Sequence, residues 1–313
     1  MKKEKIKQWF TRQKRSLLKK TFALTSLPRQ CQAYDFIDGI WSQPYDCLLP
    51  TKYKLYWKNR LINTSFSLEE LKISQGVEPR NERVFILGSG PSVNNLDLSK
   101  LRKENVIFLN GAITSINEVN SPFLEVISDA SFVRNRSSLL TNLKFAVTFD
   151  VFRELALLDE KIAKNYDFSI INEAPNWRER GTLLNELARK SGDFLEQEAA
   201  GELLKLFLDP RLGFFHTGTV MSNAIQIAFY LGFKEIFLLG FDLGNANQPR
   251  FYEHTEDVVR SGLLNDYEEH IKPFMLLTKL ASKKTGVGVY NCSPVTLLPY
   301  SIIPYRDFNS LFF

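Results

Sequence analysis

Val84-Phe85-Ile86-Leu87-Gly88-Ser89-Gly90-Pro91-Ser92 is the stretch that decides the fold. Four apolar residues run directly into a turn built of glycine, serine and proline. An apolar run of that length, bounded by a turn, reads as a strand buried on both faces of a parallel sheet. The small residues after it read as the entry to a short helical turn, with Ser92 as its N-cap. A turn of this kind at the carboxyl end of a strand lets backbone N–H groups approach an anion. It predicts a nucleotide or phosphate site, and it sets the start of the folded core near residue 81.

Downstream, strand-like and helix-like segments alternate. Val106–Leu109, Leu124–Ile127, Phe145–Phe149, Glu235–Leu239 and Val287–Tyr290 read as further strands. Residues 151–164 and 181–208 read as largely helical. Thr217–Leu231 reads as a helix, with Val220, Ala224, Ile227 and Leu231 on one face and Gly232 as its stop. A last helix is expected over 264–284, stopped by Gly286. The alternation predicts an α/β fold, Rossmann-like, with a mainly parallel sheet and helices on both faces. The polar stretch Gly76–Glu82 reads as a boundary. Residues 1–80 are then a basic N-terminal segment and appendage, and residues 81–313 are the domain that carries the expected nucleotide or phosphate site.

The charge is unevenly placed. Nine Lys and Arg residues against Glu4 put +8 in the first 20 residues, so the overall +5 leaves −3 for the other 293. Ile6, Trp9, Phe10, Leu17 and Leu18 recur among those basic residues at helical spacing. That pattern suits either a helix lying on an anionic membrane surface or a solvated tail. No apolar stretch follows that would make a signal peptide, and no run of about 18 apolar residues predicts a transmembrane helix. The core carries no basic stripe for nucleic acid. Three cysteines without a C-x-x-C pair fit a reducing compartment. The 25 phenylalanines fit a Phe-rich core or a membrane-facing surface.

Small and polar residues stand at five expected strand ends: Gly88-Ser89-Gly90, Asn110-Gly111, Ser128-Asp129, Gly240-Phe241-Asp242 and Cys292-Ser293-Pro294. Ligands of open α/β sheets bind outside those ends. The dinucleotide fingerprint is incomplete, lacking its third glycine and an acidic residue after the second strand. There is no P-loop lysine motif, no H-E-x-x-H, no G-x-S-x-G and no Asp-x-Asp pair for a divalent metal. The chain has three histidines, His216, His254 and His270.

Two families resemble this pattern over about residues 83–300. Leu87-Gly88-Ser89-Gly90-Pro91-Ser92 with Asn110, His216-Thr217-Gly218-Thr219-Val220-Met221, Gly240-Phe241-Asp242 and Cys292-Ser293-Pro294 resemble bacterial sialyltransferases that use CMP-sialic acid. Asn110-Gly111, Thr148-Phe149-Asp150-Val151, Arg250-Phe251-Tyr252 and Tyr290-Asn291-Cys292-Ser293-Pro294 resemble the lipopolysaccharide-core transferases that use CMP-Kdo, Kdo being 3-deoxy-D-manno-octulosonic acid. The resemblance implies a GT-A-like variant of the Rossmann-like fold. It implies an inverting, metal-independent transfer of an acidic 2-keto sugar, Kdo or sialic acid, from its CMP donor to a glycolipid or oligosaccharide acceptor. No cofactor is expected beyond that donor.

The resemblance also implies roles. Gly88, Ser89, Gly90 and Asn110 would contact CMP, and Thr217 and Gly218 would line the donor site. Pro91, Ser92, Asp129, Thr219, Asp242, Ser293 and Pro294 complete the expected donor-binding set. Tyr252 would be one of two tyrosines steadying the leaving phosphate, while the second position holds Gly244. Tyr267-Glu268-Glu269-His270 matches the placement of a catalytic base, with His254 as the rival. Phe214 stands where the sialyltransferases have an acceptor-binding arginine. A cytoplasmic protein on the inner face of the bacterial inner membrane is implied, and the sequence sets no oligomeric state. The alternative is a nucleotide-binding or scaffold protein that keeps the fold without the chemistry.

Overall fold

The computed structural model describes residues 35–36, 52–57, 60–74, 82–119, 122–140, 144–171, 194–199, 202–209, 212–215, 217–244, 248–253 and 262–312. The basic segment 1–20, Cys31, Cys47, His216 and His254 lie outside the described residues.

Twelve strands are present among them: β1 (Asp35–Phe36), β2 (Lys54–Trp57), β3 (Arg60–Thr64), β4 (Arg83–Leu87), β5 (Asn105–Leu109), β6 (Pro122–Ile127), β7 (Lys144–Thr148), β8 (Asp167–Ile171), β9 (Phe194–Ala199), β10 (Glu202–Phe207), β11 (Glu235–Leu239) and β12 (Gly288–Asn291). Seven form one sheet in the order β12-β11-β4-β5-β6-β7-β8. Every pairing in it is parallel. The chain steps from β4 outward to β8 in one direction and then returns to place β11 on the other side of β4. The strand order therefore reverses between β4 and β11, which is where α/β sheets open a crevice at their carboxyl ends.

The strands alternate their side chains between two cores. Val84, Ile86, Ile107, Leu109, Ile236 and Leu238 face the helices Val220–Leu231 and Lys272–Thr285. Phe85, Leu87, Val106, Phe108, Phe237 and Leu239 face the other layer, with Leu98, Leu101 and Ile113. Phe85, Phe108, Phe145, Phe152, Phe168, Phe233, Phe237, Phe274 and Phe308 are fully buried, so the phenylalanines of the described residues supply core. No helix among the described residues is long and apolar enough to cross a membrane.

The structure differs from the sequence reading at five places. The edge strand β8 (Asp167–Ile171) was not among the expected strands. The packed body reaches upstream of residue 81: Leu68 and Leu71 belong to the first core, and Tyr53, Leu55 and Trp57 join Phe145, Phe149 and Phe168 in another. The segment expected to be helical over 181–208 instead contains the antiparallel pair β9–β10, with Leu195 opposite Leu206. A two-residue connection ending in Gly201 is the hairpin signal there. The helix expected from Thr217 starts at Val220, because Gly218 stands at φ +76° and Thr219 is extended and caps the Met221 N–H at 3.3 Å. Ser92 is not an N-cap. Gly90 holds that position for the 3₁₀ turn Pro91–Asn95, and the Ser92 side chain is drawn elsewhere.

The last helix carries an irregularity with a clear cause. Leu263–Asp266 is α-helical, Tyr267–Ile271 forms a π turn, and the α-helix resumes at Lys272. Pro273 has no N–H, and its ring would collide with the carbonyl four residues earlier in a regular helix. The π turn relieves this by sending the Lys272 N–H to Tyr267 O.

One polar residue breaks the pattern of β6. Glu125 lies between Phe108 and Phe145 in register, is fully buried, and neither carboxylate oxygen has a hydrogen-bond partner among the described residues. Burial pushes its pKa well above the ordinary carboxylate value. A folded-state pKa above the unfolded one gives stability that is complete below the unfolded value. It is lost as pH rises toward the folded value, at about 1.4 kcal/mol per pH unit. Glu125→Leu is expected to raise stability at neutral pH and to flatten that decline. Urea unfolding at acid and neutral pH reads both effects, and an unchanged slope would count against the buried, protonated acid.

Candidate active site

The cleft opens where β4 and β11 end. It has about 640 Å³ of empty space, its open mouth included, and its walls come from Gly88, Ser89, Gly90, Pro91, Leu109, Thr219, Val220, Met221, Gly240, Phe241, Asp242, Leu243, Gln248, Arg250 and Leu263.

The two strand ends are laced together. Gly88 N–H donates to Leu239 O at 2.8 Å and Gly90 N–H to Gly240 O at 3.0 Å. Ser92 N–H donates to Asp242 Oδ2 at 2.8 Å, and the Ser92 hydroxyl donates to Asp242 Oδ1. Ser293 Oγ accepts from Phe241 N–H at 2.8 Å and lies 3.3 Å from Ser92 Oγ. This corrects the expected role of the turn's backbone. The N–H groups of Gly88, Gly90 and Ser92 are spent inside the protein. The glycines serve instead to let two backbones touch. A Cβ on Gly90 would sit 2.6 Å from Gly240 O and 2.6 Å from the Asp242 carboxylate.

Asp242 and Ser293 are accordingly buried struts, 3% and 1% exposed. Asp129 is exposed and caps the helix Ala130–Arg136 by accepting from Ser131 N–H at 2.7 Å, so it does not reach the cleft wall. Pro294 is exposed and also lies off that wall. Thr217 is buried, with its hydroxyl donating to Ser222 Oγ at 2.7 Å, and Gly218 brings the chain past Asp266. Thr219 is on the wall itself.

Asn110 carries the most informative local geometry. It is non-glycine at φ +50°, at the head of the 3₁₀ turn Asn110–Ser115, directly after the cleft residue Leu109. Its Oδ1 is buried and has no hydrogen-bond partner among the described residues. A strained backbone and an orphaned acceptor at a strand end are the marks of a ligand contact.

Tyr252 lies against Gly111, where any Cβ would overlap its ring. It hydrogen-bonds Ser89, and burial pushes its phenol pKa up to about 12. It therefore stays protonated and acts as a hydrogen-bond donor, not as a proton shuttle. Its loop is pinned to the glycine turn by Phe251 N–H on Ser89 O at 3.2 Å.

His270 lies in the π turn, half-buried, with Nδ1 3.7 Å from Asp266 Oδ1. Asp266 in turn packs on Gly218 beside Thr219, while His270 itself is not among the residues that line the cleft. Gly244 has only ordinary contacts, the nearest at 3.8 Å, and Phe214 is buried in the first core. Among the described residues no group of three or more His, Cys, Asp or Glu side chains could hold a metal ion. The sequence reading assigned no role to Arg250, Gln248, Asp266 or Leu263. Arg250 and Gln248 lie in the loop that follows a site-forming strand, which was the available signal.

The profile of the family described as "3-deoxy-D-manno-octulosonic acid transferase WaaZ" matches residues 68–309. A Salmonella typhimurium protein described as "Probable 3-deoxy-manno-octulosonic acid transferase" is 29% identical over 244 residues, covering 74% of this chain and 88% of that protein. An Escherichia coli protein of the same description is 26% identical over 241 residues, covering 72% and 82%. A crystal structure of the sialyltransferase CST-II, a tyrosine-to-phenylalanine variant in complex with CMP, superimposes at TM-score 0.38 with 15% identity. That alignment covers 71% of this chain and 85% of its own.

Proposed function

The chain belongs to the WaaZ family of 3-deoxy-D-manno-octulosonic acid transferases, and from that premise we propose that it moves Kdo from CMP-Kdo to a lipopolysaccharide-type acceptor, with inversion and without a metal. The observation that carries this reading is the cleft at the β4/β11 switch point, bounded by Gly88–Pro91 and flanked by the orphaned Asn110 acceptor.

The chemistry needs three things from the protein. A base takes the proton of the acceptor hydroxyl as that oxygen attacks the anomeric carbon. His270 is the proposed base. The sugar passes through an oxocarbenium-like state while its bond to the phosphate oxygen breaks. CMP departs with the bonding electron pair, and its growing charge needs preorganised donors. The Tyr252 phenol, held protonated by burial, is one such donor. Asn110 Oδ1 is the proposed acceptor for a nucleotide O–H or N–H. The basic segment at residues 1–20 is proposed to keep the enzyme at the cytoplasmic face of the inner membrane, beside its glycolipid acceptor.

Nucleotide-dependent thermal unfolding tests the donor. CMP is expected to raise the unfolding midpoint, because a ligand at about 100 times its Kd adds about 2.7 kcal/mol to the folded state. CDP and UDP at the same concentration are expected to add much less. Equal stabilisation by UDP, or none by CMP, contradicts the assignment.

A further inference from the structure

The cleft poses a charge problem. Any sugar nucleotide brings an anion into it, yet three N–H donors of the glycine turn are already used by β11-end residues. Asp242, on the same wall, is itself anionic. Among the described residues lining the cleft, Arg250 is the one basic side chain.

Arg250 is built in rather than draped over the surface. Its turn closes on itself through Glu253 N–H to Arg250 O at 2.9 Å and Arg250 N–H to Glu253 Oε2 at 3.1 Å. Its Nη1 donates to Glu253 Oε1 at 2.6 Å. The Glu253 side chain is 1% exposed, and a second guanidinium reaches it: Arg136 Nη2, from the end of the helix Ala130–Arg136, stands 3.6 Å from Oε1. Two guanidiniums around one buried carboxylate leave one positive charge in excess within that trio, which offsets the Asp242 carboxylate on the cleft wall. A buried anchor of this kind holds the fork of donors on Arg250 in one orientation before any ligand arrives.

We propose that Arg250, oriented by Glu253, is the anion-recognition residue of the donor subsite and takes an anionic group of the nucleotide sugar. Arg136 acts through Glu253 as a positioning residue. The inference rests on the functional reading above. Both the phosphate and the carboxylate of an acidic sugar can accept paired hydrogen bonds from a guanidinium, so the experiment separates them.

Arg250→Ala and Arg250→Lys are compared with the wild-type protein for binding of CMP and cytidine and for donor KM and kcat with CMP-Kdo. Loss of a guanidinium–anion contact is expected to cost about 10- to 100-fold. If the phosphate is read, CMP affinity falls by that factor in Arg250→Ala while cytidine affinity holds. If the sugar carboxylate is read, CMP affinity holds while donor KM rises by that factor at near-constant kcat. Arg250→Lys keeps the charge without the fork and is expected to fall between. It also keeps the test decisive should the alanine variant fail to fold. Wild-type CMP affinity and donor KM in the lysine variant and in any folded alanine variant would overturn the inference while leaving the functional reading intact. A wild-type protein that binds neither CMP nor CMP-Kdo would sink that reading and this inference together.

Discussion

Replacing His270 with alanine is expected to lower kcat by about 10²- to 10⁴-fold, the range removed with a positioned general base. CMP affinity is expected to stay near the wild-type value, because the histidine is assigned to the acceptor side of the reaction. Three placements support the effect. His270 stands in the π turn that Pro273 imposes, and such turns occur frequently at functional sites. Asp266 Oδ1 lies 3.7 Å from its Nδ1, a carboxylate beside the ring. Asp266 also rests on Gly218, so the pair is tied to the loop that delivers Thr219 to the cleft. His254→Ala is the companion variant. Near-normal turnover in His270→Ala with a large loss in His254→Ala would move the base to that second histidine.

The second large effect is expected at Gly90. Its missing side chain is what lets the turn after β4 touch the end of β11. An added methyl group would meet the Gly240 carbonyl oxygen at 2.6 Å, and that oxygen cannot swing away as a side chain can. Gly90→Ala is therefore expected to cost about 1–3 kcal/mol of stability, as overpacking does. It should also part the strand ends and weaken CMP binding by about tenfold or more, the equivalent of a lost hydrogen bond to a charged group. Gly244→Ala is the internal control on the same rim, since its Cβ would meet nothing closer than 3.8 Å. Chemical unfolding and CMP titration of the two variants check this. Equal behaviour of the pair would remove the close-approach argument.

Six of the seven strands of the parallel sheet were legible in the sequence because a strand buried on both faces reads as an apolar run, whereas the edge strand Asp167–Ile171 was not read. Val84–Leu87, Val106–Leu109 and Glu235–Leu239 announce themselves this way. The place of the cleft was legible too, since small residues cluster at strand ends for a steric reason. What the turn does with its N–H groups was not. Their acceptors, Leu239, Gly240 and Asp242, lie at and just beyond the end of β11, some 150 residues further along, and only the β4–β11 pairing brings them into reach. The same separation hid the hydrogen bonds by which Asp242 and Ser293 tie the strand ends together. The hairpin Phe194–Phe207 was hidden by a run of Glu, Gln, Leu and Ala, residues that also favour helices. Arg250 was visible but unremarkable until Glu253 was seen to be buried beneath it.

The central claim is transfer of Kdo from CMP-Kdo, and one measurement meets it directly. The purified full chain is incubated with CMP-Kdo, generated in place, and a lipopolysaccharide-core acceptor. CMP release and the mass of the acceptor are followed together, with CMP-sialic acid in a parallel reaction. The account predicts CMP release matched by acceptor that has gained one Kdo residue, with the Kdo donor strongly preferred. No transfer from either donor, or efficient transfer from CMP-sialic acid alone, would contradict it.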